Sequence, residues 1–257
     1  MMPLTMAKTG ETVTIRKITG RDEVRDVLQE SQFALSSLFW YVGQVLRELK
    51  SRGIYEEDHV PDTYVGGNGS RIFSWITGGS YDPSSVRLRV LKNIIKQSSG
   101  LDSDYKFTIF PSTKPKVEVA SGMIEEKPHQ ELFDEEKVQK RIFGDTEDAY
   151  ELAAVLCGED CTSGGKEVGW NSMISARDIA SGIEVDKMSM LGSFVDEFNQ
   201  NTRSIWAEGI DFGDDLADDL QRKVRGFYAD QRGRDIKEIR VEPVFIVAMQ
   251  KLMEMLK

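Results

Sequence analysis

A cluster of glycines at Gly66, Gly67 and Gly69 is the part of this sequence best suited to hold a ligand through its backbone. Glycine has no Cβ, so the chain at these positions can pass close to a ligand. A helix predicted to begin near Ser70 would point free N–H groups toward the same place, which favours a phosphate or another anion. The glycines alone leave an alternative open, a tight strand-to-helix turn that binds nothing.

Three familiar nucleotide-binding signatures are incomplete. Gly164-Gly165-Lys166 lacks the upstream glycine and the following Ser or Thr of a Walker motif. A dinucleotide fingerprint starting at Gly67 would need glycine where Ile72 stands, which disfavours a nicotinamide-dependent oxidoreductase. Asp211-Phe212-Gly213 matches one tripeptide of protein kinases, but no other kinase motif accompanies it. We therefore treat all three matches as coincidences.

The remaining reactive side chains do not form a recognisable site. Cys157 and Cys161 have neither a second cysteine pair nor a nearby histidine to complete a tetrahedral zinc site, so we expect reduced thiols. His59 and His129 are not beside a credible nucleophile. The aspartates within 211–219 miss the calcium-loop pattern and are more typical of a solvated helix start. We predict no catalytic residue and no metal site.

The elements around the glycine cluster alternate in type. Apolar residues at three- and four-residue spacing predict a long and largely buried helix that ends at Gly53. The order of strands and helices predicts an α/β unit with parallel strands joined by a right-handed crossover. The predicted elements, in order, are helix Glu23–Arg52, strand Thr63–Val65, helices Ser70–Ile76 and Pro83–Gln97, strand Tyr105–Phe110 ended by Pro111, and helix Lys116–Ile124.

The segment Tyr64–Ile72 resembles the adenosine motif of the actin-like ATPase superfamily, to which actin, sugar kinases and heat-shock chaperones belong. An apolar strand, two glycines and a Ser follow a long helix, and Pro115–Gly122 resembles the superfamily's closing helix. The resemblance covers residues 22–126 and implies part of an actin-like, ribonuclease H-like α/β lobe. It also implies binding of ATP or ADP, with Mg²⁺ held only through the nucleotide. The implied binding residues are Gly66, Gly67, Asn68, Gly69, Ser70 and Arg71.

The sequence departs from that superfamily at the groups that perform catalysis. The superfamily's two Asp-x-Gly turns, which clamp the phosphates and Mg²⁺, should precede the adenosine motif, and residues 1–65 contain neither. Without Mg²⁺ ligands and a positioned nucleophile, phosphoryl transfer loses its main sources of stabilisation. We expect this chain not to hydrolyse ATP efficiently alone. Two interpretations stay open: the C-terminal part of a longer ATPase, or a separate polypeptide that binds without catalysis.

Composition limits the classes of partner. The net charge of −10 and the lack of a long Lys/Arg run make nucleic acid a poor partner. No apolar run has the length of a membrane span, and the first residues lack a signal-peptide core, so we expect a cytoplasmic protein without a membrane partner. An incomplete bilobed fold should expose apolar surface, which predicts self-association or a protein that supplies the missing lobe.

The chain is predicted to have three parts: an N-terminal segment 1–21, the adenosine-binding lobe 22–126, and a mainly helical extension 127–257 of unknown role. Within the extension, Glu159–Gly165 is predicted to be a loop. Helices are predicted at Met188–Asn199, Asp214–Asp230 and in the amphipathic C-terminal tail Val241–Lys257. The rival to a nucleotide-binding lobe is a non-enzymatic interaction or structural module in which the glycine turn is only structural.

Overall fold

The computed structural model describes residues 22–51, 53–77, 81–102, 106–112, 161–163, 166–168, 176–185, 189–206, 208–235, 238–239 and 242–255. This part of the chain is mainly helical and contains two small sheets. The helices are α1 (Asp22–Ser51), α2 (Arg71–Ile76), α3 (Val86–Ser99), α4 (Ala176–Ser181), α5 (Ser189–Thr202), α6 (Asp214–Ala229) and α7 (Val244–Met255). The strands are β1 (Thr63–Val65), β2 (Ile109–Pro111), β3 (Cys161–Ser163), β4 (Lys166–Val168) and β5 (Ile183–Val185).

The long helix α1 is confirmed, and it packs along α3 in a parallel direction. Near the start of α3, the Gln32 side-chain amide, one third of the way along α1, donates to the carbonyl of Arg87 at 3.1 Å. Near the ends of both helices, the Arg47 guanidinium donates to the carbonyl of Gln97 at 3.2 Å. Gly53 follows α1 with φ +68, a conformation that glycine adopts readily, and so ends the helix as predicted.

Strands β1 and β2 are parallel, as the order of elements predicted. Thr63 lies opposite Ile109, and Val65 lies opposite Pro111. The second strand ends at Pro111, as predicted, with the proline as its last paired residue, but it begins only at Ile109 rather than at Tyr105. A proline lacks an N–H, but it can occupy the end of an edge strand without removing a ladder bond that the pair needs. Residues 105 and 113–126, including the predicted closing helix, lie outside the described residues.

The second sheet is antiparallel and has the order β4–β3–β5. Cys161 pairs with Val168 on one side and with Val185 on the other. The prediction of a loop over Glu159–Gly165 is therefore wrong for Cys161–Ser163, which is the central strand. The Gly164-Gly165 dipeptide was interpreted as part of that loop, although two adjacent glycines are also typical of a two-residue hairpin connection. Helix α4 and strand β5 were not predicted, because both are too short for a periodic pattern to reveal.

The hydrophobic core joins residues from both predicted large parts of the chain. Phe33 of α1 is fully buried, with its ring centroid 5.0 Å from that of Phe194 and 4.9 Å from that of Phe198, both on α5. Tyr41 stacks on Phe245 of α7 with centroids 6.3 Å apart. Helices α5, α6 and α7 are confirmed, and the described part of the extension packs directly against α1. The boundaries at 21/22 and 126/127 stay predictions, since residues 1–21 and 113–160 lie outside the described residues.

The prediction that α1 is largely buried is wrong for one of its faces. Val27, Leu38 and Val42 are 38%, 51% and 47% exposed. Helices α3, α5 and α7 cover the opposite face of α1, where they bury Phe33 and Trp40. The coarse fold is thus a mainly helical body with a small parallel α/β element, and the actin-like lobe stays a proposal.

Candidate functional site

The glycine turn leaves the carboxyl end of the parallel pair. Strand β1 runs into Gly66, and β2 ends beside it, where the Ser112 N–H donates to the carbonyl of Val65 at 2.8 Å. At the other end of the pair, the Thr63 N–H donates to the carbonyl of Thr108 at 2.9 Å. In open α/β sheets, ligands bind outside the carboxyl ends of parallel strands. The predicted binding residues therefore lie at the edge of the sheet where a ligand is expected.

The surface above the turn is open. Gly67 has φ +71, a left-handed conformation that a side chain at this position would make strained. A Cβ built at Gly67 or at Gly69 would meet no other atom within 4 Å. Gly66, Gly67 and Gly69 are all exposed. Because no neighbouring residue packs against Gly67 or Gly69 on this side, a ligand could approach the backbone there.

Ser70 differs from its predicted role. A 3₁₀ turn, Asn68–Ser70, precedes α2, and within it the Ser70 N–H donates to the carbonyl of Gly67 at 3.0 Å. The side chain of Ser70 is 1% exposed, and within the described chain its hydroxyl has no hydrogen-bond partner. The prediction of a helix beginning near Ser70 is confirmed, since α2 begins at Arg71, but the N–H of Ser70 itself is already used within the 3₁₀ turn. Ser70 faces inward in this conformation.

Arg71 is the first residue of α2, and its side chain is exposed. An exposed guanidinium one turn from the glycines can pair with a phosphate in two hydrogen bonds. Helix α2 is only six residues long, so its dipole contributes less than that of a full helix. The positive charge near the turn comes from Arg71 rather than from the helix end.

Two exposed aromatic rings lie beside the turn, and no sequence pattern indicated that they form a pair. Tyr64 and Phe110 are direct partners across the parallel pair. Their rings are 4.9 Å apart between centroids and inclined by 17°, a stacked arrangement. Tyr64 is 78% exposed and Phe110 is 40% exposed. Both residues occur in strands that were predicted, but only the register of the sheet reveals that they form a pair.

The buried side of α2 holds this helix and the glycine turn against the core. Phe73 and Ile76 are buried, and Phe73 packs edge-on against Phe39 of α1 at 6.3 Å. The Tyr81 hydroxyl donates to the carbonyl of Ile109, which fixes the segment before α3 to β2. The turn is therefore attached to the core through α2 and to the parallel pair through β1.

A half-buried arginine links this region to the C-terminal part of the chain. The Arg87 guanidinium donates to the carbonyl of Ile76 at 3.2 Å and lies 4.9 Å from the ring centroid of Trp206. Burial lowers the pKa of Arg87, although a guanidinium keeps its charge in proteins. Arg87 thus joins the end of α2 to a ring that follows α5.

The other candidate residues are dispersed. His59 lies 3.8 Å from the carboxylate of Glu57 near the end of α1, and its carbonyl accepts from the Tyr55 hydroxyl. Asp214 and Asp215 lie in the first turn of α6, as predicted for a helix start. Cys157 and His129 lie outside the described residues. Across the ranges given above, no three His, Cys, Asp or Glu residues group closely enough to hold a metal ion.

No protein-family model, curated protein or solved structure matches this chain. None of the helices in the described ranges combines the length and the apolar character that spanning a bilayer requires.

Proposed function

We propose that the chain binds an adenine nucleotide, ATP or ADP, at the turn formed by Gly66–Arg71. The observation that carries the proposal is the open glycine turn at the carboxyl end of the parallel pair β1–β2. Backbone N–H groups in such turns bind phosphate oxygens, and glycine lets the phosphates come close. The resemblance of Tyr64–Ile72 to the adenosine motif of actin-like ATPases supports an adenine nucleotide over another anion.

The residues around the turn divide into two chemical regions. The exposed Arg71 guanidinium offers charge to the phosphates, and Gly67 and Gly69 offer backbone approach. The stacked rings of Tyr64 and Phe110 offer an aromatic face, on which a nucleotide base stacks favourably whatever its identity. The buried Ser70 hydroxyl takes part only if the 3₁₀ turn rearranges. In this proposal Mg²⁺ enters with the nucleotide and is held by its phosphates.

The proposed role is binding without efficient hydrolysis by this chain alone. Residues 1–65 contain no Asp-x-Gly turn of the type that holds phosphates and Mg²⁺ in the superfamily that the motif resembles. Positioning and charge stabilisation supply nearly all the catalysis of phosphoryl transfer, so a site without those turns lacks the main contributions. A second polypeptide or a further segment would have to provide them.

Calorimetric titration with ATP and ADP, with and without Mg²⁺, tests this proposal. Gly67→Val is the informative variant, because the valine side chain would occupy the space through which the ligand approaches the backbone. Gly53→Val is its matched control: Gly53 has φ +68, close to the +71 of Gly67, and a Cβ there also meets nothing within 4 Å. The two variants carry similar backbone strain. We expect saturable binding that Gly67→Val abolishes and Gly53→Val preserves.

A protein-interaction module is the rival function, and the exposed apolar face of α1 favours it. Absence of binding at millimolar nucleotide would support this rival and make the glycine turn a structural connection. The two functions are not exclusive, because the face of α1 and the glycine turn lie on different elements.

A further inference from the structure

Helix α1 places a row of polar side chains inside the protein, one at every fourth position. Each of these side chains has a polar atom that is closed to solvent and has no hydrogen-bond partner within the described chain. The atoms are Oε1 of the two glutamines, the serine Oγ and the tryptophan Nε1. The four residues, which form the polar row, are Gln32, Ser36, Trp40 and Gln44, and they are 0%, 0%, 7% and 2% exposed.

The polar row lies on the packed side of α1. Helices α3, α5 and α7 contact α1, and the Trp40 ring centroid is 5.9 Å from that of Phe194 on α5. The Gln32 side chain reaches α3, where its amide N–H donates to the carbonyl of Arg87, so only its Oε1 is left without a partner. Solvent outside the protein therefore does not reach the unpaired atoms of the row.

The number of unpaired atoms in the polar row is too large for a stable fold to leave unsatisfied. One buried polar group without a partner lowers the stability of a domain appreciably, and four together offset about the whole of its net stability. Outside α1, the described residues contain two more such atoms, Ser70 Oγ and Trp206 Nε1. The concentration of the others on one helix, at one regular spacing, indicates a shared partner inside the protein.

The spacing of the polar row fits water molecules. Side chains four residues apart on a helix lie one above the other, with Cβ atoms about 5–6 Å apart. Two polar atoms that share one water molecule are about 5.5 Å apart, twice the length of an O–H···O hydrogen bond. Water donates to the glutamine oxygens and accepts from the Trp40 N–H, and the Ser36 hydroxyl can do either. Water thus satisfies the donors and the acceptors of the row alike.

The chemistry of the polar row also favours a neutral partner. None of its four side chains carries a charge, and a buried ion without an opposite charge is strongly disfavoured. Globular proteins contain about one buried water per 27 residues, each with about three hydrogen bonds to polar groups. We propose that a file of about three ordered water molecules lies along the polar row, each bridging two successive members. The file does not depend on nucleotide binding.

Oxygen-17 magnetic relaxation dispersion of the full chain in water tests this proposal, because it counts the water molecules that stay in the protein longer than the protein takes to tumble. Ser36→Ala removes one member of the polar row. Ser37→Ala is the matched control: Ser37 is the next residue of α1 and is 3% exposed, but its Oγ already donates to the carbonyl of Ala34 at 2.8 Å. The change in helix propensity is the same in both variants and cancels between them.

We expect Ser36→Ala to hold fewer long-lived water molecules than the unmodified chain, and Ser37→Ala to hold the same number. Ser36→Ala should also melt about 2–4 °C below Ser37→Ala, because a bound water loses one of its partners. If Ser36→Ala does not fold, Gln44→Met replaces it, since methionine keeps an unbranched flexible side chain and removes Oε1.

An unchanged number of long-lived water molecules in Ser36→Ala would overturn the inference. A Ser36→Ala variant that melts above Ser37→Ala would overturn it too, because the removal of a hydroxyl that has no partner at all stabilises a protein.

Discussion

Gly43 of α1 lies directly against Ser98 of α3. A Cβ at Gly43 would be 1.8 Å from the Ser98 Oγ and 2.8 Å from the carbonyl oxygen of Ile95. No real Cβ is found so close to another atom, so the two parallel helices approach each other at this point as closely as a glycine permits. Because α3 follows α2 and leads to β2, this contact contributes to the placement of the glycine turn and its neighbouring strand.

Gly43→Ala should destabilise the protein by about 1–3 kcal/mol, the usual cost of overpacking a core. The Ser98 side chain can rotate away, but the Ile95 carbonyl belongs to the backbone of α3, so the helices must separate. Gly226→Ala in α6 is the control, since a Cβ there meets nothing within 4 Å. It should stabilise by about 0.5–1 kcal/mol, because alanine is the better helix former. Urea unfolding of both variants measures this difference, and equal free energies of unfolding would contradict the close approach.

Phe33→Ala should cost about 3–5 kcal/mol of stability, the range for removing a buried aromatic ring. The ring is fully buried and contacts Phe194 and Phe198, which follow it by more than 150 residues. These rings join α1 to α5, so we expect one cooperative unfolding transition. Phe33→Ala should lower its midpoint by the same amount in circular dichroism and in tryptophan fluorescence. Separate transitions, only one of which moves, would mean that the two regions fold independently.

Stability should fall at alkaline pH because of Tyr41. Burial raises the pKa of the Tyr41 hydroxyl from 10.0 to about 12. The unfolded chain therefore ionises above pH 10 while the folded chain does not, so the stabilisation is complete below pH 10 and is lost as pH rises toward 12. Its full size is on the order of 3 kcal/mol. Tyr41→Phe keeps the ring against Phe245 and removes this titration.

Free energies of unfolding at pH 8, 10 and 11.5 provide the comparison for Tyr41→Phe. We expect a smaller alkaline loss in the variant, with a remainder from Tyr228, whose pKa burial also raises. An identical loss in the variant and the unmodified chain would show that Tyr41 ionises as it does in water.

Tyr64→Ser should weaken nucleotide binding with only a small loss of stability, from the lost stack on Phe110. Stacking of a base on an aromatic side chain contributes about 1–3 kcal/mol, equal to about 5- to 150-fold in affinity. Tyr64 is 78% exposed, so its removal costs the fold little. Ile54→Ser is the control, because Ile54 is 58% exposed and lies outside the turn. In titrations with ATP, Tyr64→Ser should have a lower affinity than Ile54→Ser. In titrations with inorganic triphosphate, which has no base, the two variants should have equal affinities.

Local patterns in the sequence predicted the main helices and the first sheet. The 3-4 spacing of Val24 to Leu49 indicated α1, and two short apolar segments indicated the parallel strands. The central strand Cys161–Ser163 was missed because a three-residue strand has no measurable alternation, and its Gly-Gly neighbour was interpreted as a loop. The rule that apolar residues are buried failed at Leu38, since packing against α3, α5 and α7 decided which side of α1 faces inward.

The candidate site was predictable in position but not in detail. The glycines placed the turn after β1, and its open surface agrees with backbone approach. The inward position of Ser70 depends on a 3₁₀ turn in which the Ser70 N–H donates to the carbonyl of Gly67. No residue pattern predicted this turn. The Tyr64–Phe110 stack requires the register of the two strands, a long-range property that local spacing does not contain.

The most direct test of nucleotide binding at the turn is calorimetric titration of Gly69→Val with ATP and Mg²⁺. Gly69 has no left-handed φ, and a Cβ there meets nothing within 4 Å, so valine fits the free protein with little strain. The account predicts an unchanged melting temperature and ATP affinity reduced by at least about tenfold, a loss of about 1.4 kcal/mol. Saturable ATP binding of unchanged affinity in Gly69→Val, or no binding by the unmodified chain at millimolar ATP, would contradict it.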